Sequence, residues 1–114
     1  MTVIYKLCAS SLWREAEAAG VFRGAPIDLR DGFIHFSTAD QVRETARLHF
    51  AGEGDLVLIA VSGKALGDAL KYEPSRGGAL FPHLYAPLPL SAVLWVRTLP
   101  LGPDGRHRFP DDLP

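Results

Sequence analysis

Six consecutive apolar residues, Leu56-Val57-Leu58-Ile59-Ala60-Val61, leave this chain no polar face to give to water at that point. The run reads as a buried strand over Asp55–Ser62. Covering it takes a real core. The chain has 114 residues, 47% of them hydrophobic, and a domain of this size buries roughly two-thirds of its unfolded surface without staples. One ordinary domain fits the length, and a second does not.

Around the run, other elements are legible. Thr2–Ala9 alternates Val3, Tyr5 and Leu7 with Ile4, Lys6 and Cys8, a strand pattern. A helix is expected from Ser10 or Ser11 to about Ala19, closed by Gly20. A second runs about Ala39–Phe50, with Thr38 as N-cap and Gln41 at capping-box spacing. Gly24 to Gly32 reads as a loop. Phe33–Ser37 and Leu70–Glu73 read as short strands, and Ser91–Leu99 as a longer one. Gly63–Ala69 is a turn or one short helical turn. Phe81–Tyr85 is extended, with Pro82 confining it to an edge or a loop. Short connections after Asp55 suit antiparallel pairing, so the fold class is α+β, with residues 1–101 as one domain. Residues 102–114, polar and rich in Pro and Asp, read as a loosely held tail.

Charge and composition narrow the function. Net charge is −1 and nine of the twelve basic residues are scattered arginines, so no strong field recruits nucleic acid or an anionic membrane. One cysteine, Cys8, excludes an internal disulfide and a Cys-based zinc site. The N-terminal residues lack a signal-peptide pattern and no apolar run approaches the roughly 20 residues of a membrane span, which makes the cytoplasm the default location. P-loop, Gly-x-Gly-x-x-Gly and Gly-x-Ser-x-Gly motifs are absent. Two histidines without a His-x-x-x-His or His-Glu pairing do not make a metal site.

Three places carry candidate chemistry. Alternation in Phe33–Ser37 puts His35 and Ser37 on one face and Ile34 and Phe36 on the other. The helix beginning beyond Thr38 offers free N–H groups to an anion. The competing reading is a core His35 bonded to a backbone carbonyl. In Phe81-Pro82-His83-Leu84-Tyr85, His83 and Tyr85 share a side between stiffening prolines. The Arg76-Gly77-Gly78 loop before them offers a guanidinium to phosphate or carboxylate. The competing reading is a loop covering the core, with Tyr85 as an amphipathic plug. In Lys71-Tyr72-Glu73, Glu73 is placed to orient a hydroxyl or to balance Arg76; otherwise this is a solvated strand face. His49 and His107 read as incidental.

Taken together, Asp31-Gly32-Phe33-Ile34-His35-Phe36-Ser37-Thr38, Leu70-Lys71-Tyr72-Glu73 and Phe81-Pro82-His83-Leu84-Tyr85 resemble the bacterial family catalogued as domain of unknown function 952. The likeness runs from Ile4-Tyr5-Lys6 to about Leu99. That family is grouped with the ADP-ribosyltransferase-like superfamily. The resemblance therefore implies a bent, mostly antiparallel split sheet with two main helices and NAD in the cleft. By the same resemblance, His35 contacts a ribose, and Ser37, with Thr38 beside it, holds the nicotinamide amide. Tyr85 or Tyr72 stacks on the nicotinamide, and His83 or Glu73 supports the transfer. The expected catalytic set is His35, His83 and Glu73; the expected NAD-binding set is His35, Ser37, Thr38, Arg76 and Tyr85. The functions in competition are an NAD-dependent ADP-ribosyl-type transferase or binder of a nucleotide-like ligand, a phosphoesterase-like enzyme using His35 and His83 as an acid–base pair, and a non-catalytic interaction module. Oligomeric state is not legible.

Overall fold

The computed structural model describes residues 2–113 apart from the side chain of Arg76, so the anion contact expected of Arg76 lies outside the described residues. In chain order the elements are β1 (Val3–Ala9), α1 (Ser10–Ala19), β2 (Val21–Phe22), α2 (Pro26–Asp31), β3 (Ile34–His35), α3 (Ala39–His49), β4 (Leu56–Ser62), α4 (Gly63–Leu66), β5 (Leu70–Pro74), β6 (Leu80–Leu84), β7 (Leu88–Pro89) and β8 (Val93–Leu99). This is an α+β architecture in which every strand pair is antiparallel. Among the described residues, no helix is long and apolar enough to cross a membrane.

The apolar run is the middle strand of the β1-β4-β8 sheet. Alternation divides it between two cores. Val57, Ile59 and Val61 join Ile4, Cys8, Trp13, Ala16, Phe22, Ile34 and Phe36 on the α1 side. Leu56, Leu58 and Ala60 join Tyr5, Leu7, Val42, Ala46 and Leu99 on the α3 side. Both faces of an antiparallel sheet are thus covered, which is why β4 reads as a continuous apolar run and not as an alternating one.

α1 and α3 occupy the segments that the sequence signals pick out. Gly20 closes α1 at φ 83°, a left-handed conformation that favours glycine. At the start of α3, Gln41 Oε1 accepts from the Thr38 N–H at 3.0 Å, half of the expected capping box. The stretch read as a loop between Gly24 and Gly32 contains α2. Pro26 sits in its first turn, and the Asp28 carboxylate accepts from the Ala25 N–H at 2.7 Å, which satisfies a donor that a helix start leaves free.

Pro82 produces the largest departure from expectation. It lies at the centre of the β3-β6-β5 sheet, opposite Tyr72, and not on an edge. The β3 ladder shows the consequence. Ile34 pairs with Leu84 and His35 with His83. Phe36 then donates to the Pro82 carbonyl at 3.0 Å, but proline has no N–H to return a bond. The ladder stops there, and on the opposite edge of the segment Ser37 and Tyr5 exchange backbone bonds of 2.9 and 2.8 Å. The two three-stranded sheets therefore meet at a single bridge and diverge around it.

The C-terminal segment, expected to be loosely held, is tied back. Leu113 is buried in the α3-side core with Phe109 packed beside it. Arg97 pairs with Asp112 at 2.8 Å, and the Arg43 guanidinium lies over the Phe109 ring. Polar composition hid one apolar anchor. Leu113→Ala is expected to lower unfolding free energy by about 2–3 kcal/mol, read as a fall in the urea midpoint with an unchanged slope.

Candidate functional site

A cavity of about 380 Å³ opens where the sheets diverge, between β1, β3, β6 and α3. It is within the size range of small-molecule sites. His35, Ser37 and His83 all line it, although the two segments are nearly fifty residues apart in sequence. The His35 and His83 rings lie edge to face with centroids 5.6 Å apart. The in-register pairing of His35 with His83 across β3 and β6 brings them there.

Each imidazole has carboxylates for partners. His35 Nδ1 lies 2.7 Å from Asp28 Oδ1, and its Nε2 lies 2.9 Å from Asp31 Oδ2. Both ring nitrogens are thus engaged by α2. The ring is not bonded to a backbone carbonyl. His83 Nδ1 lies 2.7 Å from Glu73 Oε1, and the same oxygen accepts from the Tyr85 hydroxyl at 2.7 Å. With Glu73 ionised, Nδ1 carries the proton, and the Nε2 of a neutral ring is left as a hydrogen-bond acceptor. His83 is buried, yet no described residue bonds its Nε2, and that nitrogen is not among the sealed, unsatisfied atoms.

Electrostatics follow from these contacts. Burial pushes the Asp28 carboxyl up, but hydrogen bonds from His35 and the charge of Lys6 outweigh it and bring the group down to about 2. Burial lowers the Lys6 ammonium against the opposing pull of Asp28. The Tyr85 hydroxyl and then His83 hold Glu73 below the usual carboxylate range. In return, the bond to Glu73 raises Tyr85.

Not every expected residue reaches the cavity. Ser37 does, its Oγ 2.9 Å from Thr45 Oγ1. Thr38 serves as the N-cap of α3. Tyr72 and Tyr85 are exposed and do not line the cavity. Glu73 stands behind His83. His49, read as incidental, lines the cavity, whereas His107 bonds the Glu53 carbonyl at 2.7 Å. Cys8 is buried, and burial pushes its thiol up to about 11.

Sequence reasoning missed Lys6, Asp28, Asp31 and Phe33. Lys6 interrupts an apolar strand face, and Asp28 and Asp31 are three apart in a segment opened by proline, so the signals were present but unpaired. Phe33 stacks on His83 at 4.1 Å and 28° and touches the His35 and Tyr85 rings at 4.6 and 5.3 Å. Its position on the His35 face was legible; its four-ring cluster was not.

Asp28 is the least replaceable group. It bonds Lys6 Nζ at 2.9 Å and also accepts from the His35 backbone N–H at 3.0 Å. Asp28→Asn strands a buried ammonium and should cost about 3–5 kcal/mol of stability. Replacing both partners, Lys6→Met with Asp28→Leu, should recover only part of that loss, because the Ala25 and His35 N–H groups lose their acceptor, and denaturant melts of the parent and the two variants check it. The pH dependence has a definite sign. The folded carboxyl, at about 2, lies below its ordinary value of 3.8. Its contribution is therefore complete above about pH 4 and is lost as pH falls toward about 2. Acid titration of stability should show that loss in the parent and not in the double variant.

The sequence pattern of the family described as "Protein of unknown function (DUF952)" matches residues 7–96. The fold is similar to the crystal structure of protein CC0527 from Caulobacter crescentus, at 48% identity over 98% of each chain with a TM-score of 0.94. A double-mutant form of CC0527 is similar at 47% identity, again over 98% of each chain, with a TM-score of 0.93. The solution structure of CC0527 is similar at 50% identity over 93% of this chain and 91% of that one, with a TM-score of 0.84. No curated protein matches. On a match that spans most of its length, the chain belongs to the DUF952 family.

Proposed function

We propose that the chain is an ADP-ribosyl-type transferase in which His83, oriented by Glu73, removes a proton from the acceptor while NAD is held in the cleft between the sheets. One observation carries the reading: a buried imidazole lines the cavity with Nδ1 held by a carboxylate and, among the described residues, no partner on Nε2. That is the arrangement of a general base.

The acceptor hydroxyl oxygen forms a bond to the ribose C1′ of NAD. The C1′–N bond breaks and its electron pair leaves with neutral nicotinamide, and the hydroxyl proton passes to His83 Nε2. The transition state is cationic at ribose. Asp28, Asp31 and Glu73 around the two imidazoles suit developing positive charge. Tyr5, Phe36 and Phe81 supply aromatic wall for a flat base. In this reading His35, bonded at both nitrogens, positions α2 and the cavity wall and does not touch ribose. The volume accommodates the nicotinamide-riboside end, with the rest of NAD along the opening.

A phosphoesterase needs cationic groups for developing phosphoryl charge. Lys6 is the one Lys or Arg among the described cavity-lining residues, and it is committed to Asp28. The ADP-ribosyl reading is therefore preferred.

Calorimetric titration with NAD, ADP-ribose and nicotinamide tests the ligand class, and nicotinamide release tests turnover. His83→Ala should lower turnover by roughly 10²–10⁴-fold while NAD affinity changes little. Glu73→Gln should lower turnover less. Absence of saturable binding by any of the three ligands would reject the reading and leave an interaction module.

A further inference from the structure

His49 and Ser75, both exposed, stand at the mouth of the cavity. Deeper in, the polar side chains are engaged with their own neighbours, with one exception. Lys6 Nζ holds Asp28 and donates to the His35 carbonyl. Both His35 nitrogens are held by α2. Thr45 donates its hydroxyl to the Gln41 carbonyl at 3.1 Å, so Ser37 is the donor in the Ser37–Thr45 pair. The Tyr5 ring packs against Trp95, and the charges acting on its hydroxyl are those of Asp112 and Arg43, neither of which lines the cavity. His83 is the exception. It is 5% exposed, Glu73 holds its Nδ1, and its Nε2 is an acceptor that no described residue bonds. The rest of the wall away from the mouth includes Leu7, Phe36, Phe50 and the ring of Tyr5.

We infer that the cavity binds a neutral phenol, its ring against Phe36, Phe50 and Tyr5 and its hydroxyl donating to His83 Nε2. A site with one open acceptor selects a ligand with a matching donor, because an analogue without the donor leaves a buried nitrogen unpaired. Aromatic side chains favour a flat ring, through offset or edge contacts. Three carboxylates hold the two imidazoles, against the single ammonium of Lys6, so the local charge opposes an anionic ligand. A phenol also suits the base. Its hydroxyl ionises near about pH 10, as that of tyrosine does, whereas an aliphatic hydroxyl is a far weaker acid and yields its proton to imidazole less readily. As acceptor in the transfer, a role that rests on the reading above, the phenol oxygen bonds C1′ and its proton passes to Nε2. Nicotinamide leaves with the electron pair of the C1′–N bond. As a ligand, the phenol needs no NAD.

The probe is para-fluorophenol, followed by fluorine NMR as protein is added. The parent should bind it saturably. Fluorobenzene, which keeps the ring and lacks the hydroxyl, should bind roughly 10-fold more weakly. Cyclohexanol, with its hydroxyl on an aliphatic ring, should displace the probe less well than phenol does. Folded His83→Leu should bind the two fluorinated compounds alike. In the nitrogen-labelled parent, the His83 Nε2 resonance should move on addition of para-fluorophenol and stay in place with fluorobenzene, a measurement that stands if His83→Leu misfolds. Absence of saturable binding of para-fluorophenol overturns the inference. So does equal binding of fluorobenzene by the parent, a preference that survives His83→Leu, an Nε2 resonance that does not move, or displacement by cyclohexanol as efficient as that by phenol. The NAD titrations succeed or fail separately. Phenol binding without NAD binding removes the transferase and keeps this site, and NAD binding without phenol binding does the reverse.

Discussion

The Asp28 carboxylate holds the cavity-forming elements in register. Its two oxygens accept from Lys6 on β1, from the Ala25 and His35 backbones, and they meet the His35 ring. Lys6 also donates to the His35 carbonyl at 2.9 Å. A strand of one sheet, a six-residue helix and the first strand of the other sheet are thereby joined through one buried ion pair. Such a pair contributes less to net stability than its contacts suggest, since desolvation opposes the attraction. Its geometric effect is larger: β3 has a two-residue ladder, and the hydrogen bonds from Lys6 and to Asp28 place its His35 end.

Pro82 sets the other half of the arrangement. It returns no bond to Phe36, so the β3 ladder ends after His35, while Ser37 bridges Tyr5 from the opposite edge of the same segment. The His83 ring sits one residue beyond this discontinuity, with Glu73 fixing it from β5 and Phe33 stacked on it.

Much of the scaffold was legible from the chain. α1 and α3 follow from capping signals and glycine stops, and β1, β4 and β8 from apolar patterns. These are local properties, fixed by backbone chemistry and by which face each residue presents. His35 with Ser37, and His83 with Tyr85, stood out for the same reason: alternation sets side-chain direction. What alternation could not supply was partner identity. Tyr85 turned to Glu73 and not to the cavity, and Asp28 in a presumed loop became the hub. The terminal segment looked solvated because most of its residues are polar, while one leucine anchors it.

Sequence alone determined the buried middle strand, the two main helices, the α+β class and the family, because each depends on residues close together in the chain or on a pattern carried along it. Tertiary structure decided that β4 is covered on both faces, that Pro82 lies mid-sheet, and that His35 is engaged by two aspartates while His83 is held by Glu73 at the cavity wall. Those outcomes depend on register between strands far apart in sequence, and a shift of one residue would turn every side chain to the opposite face.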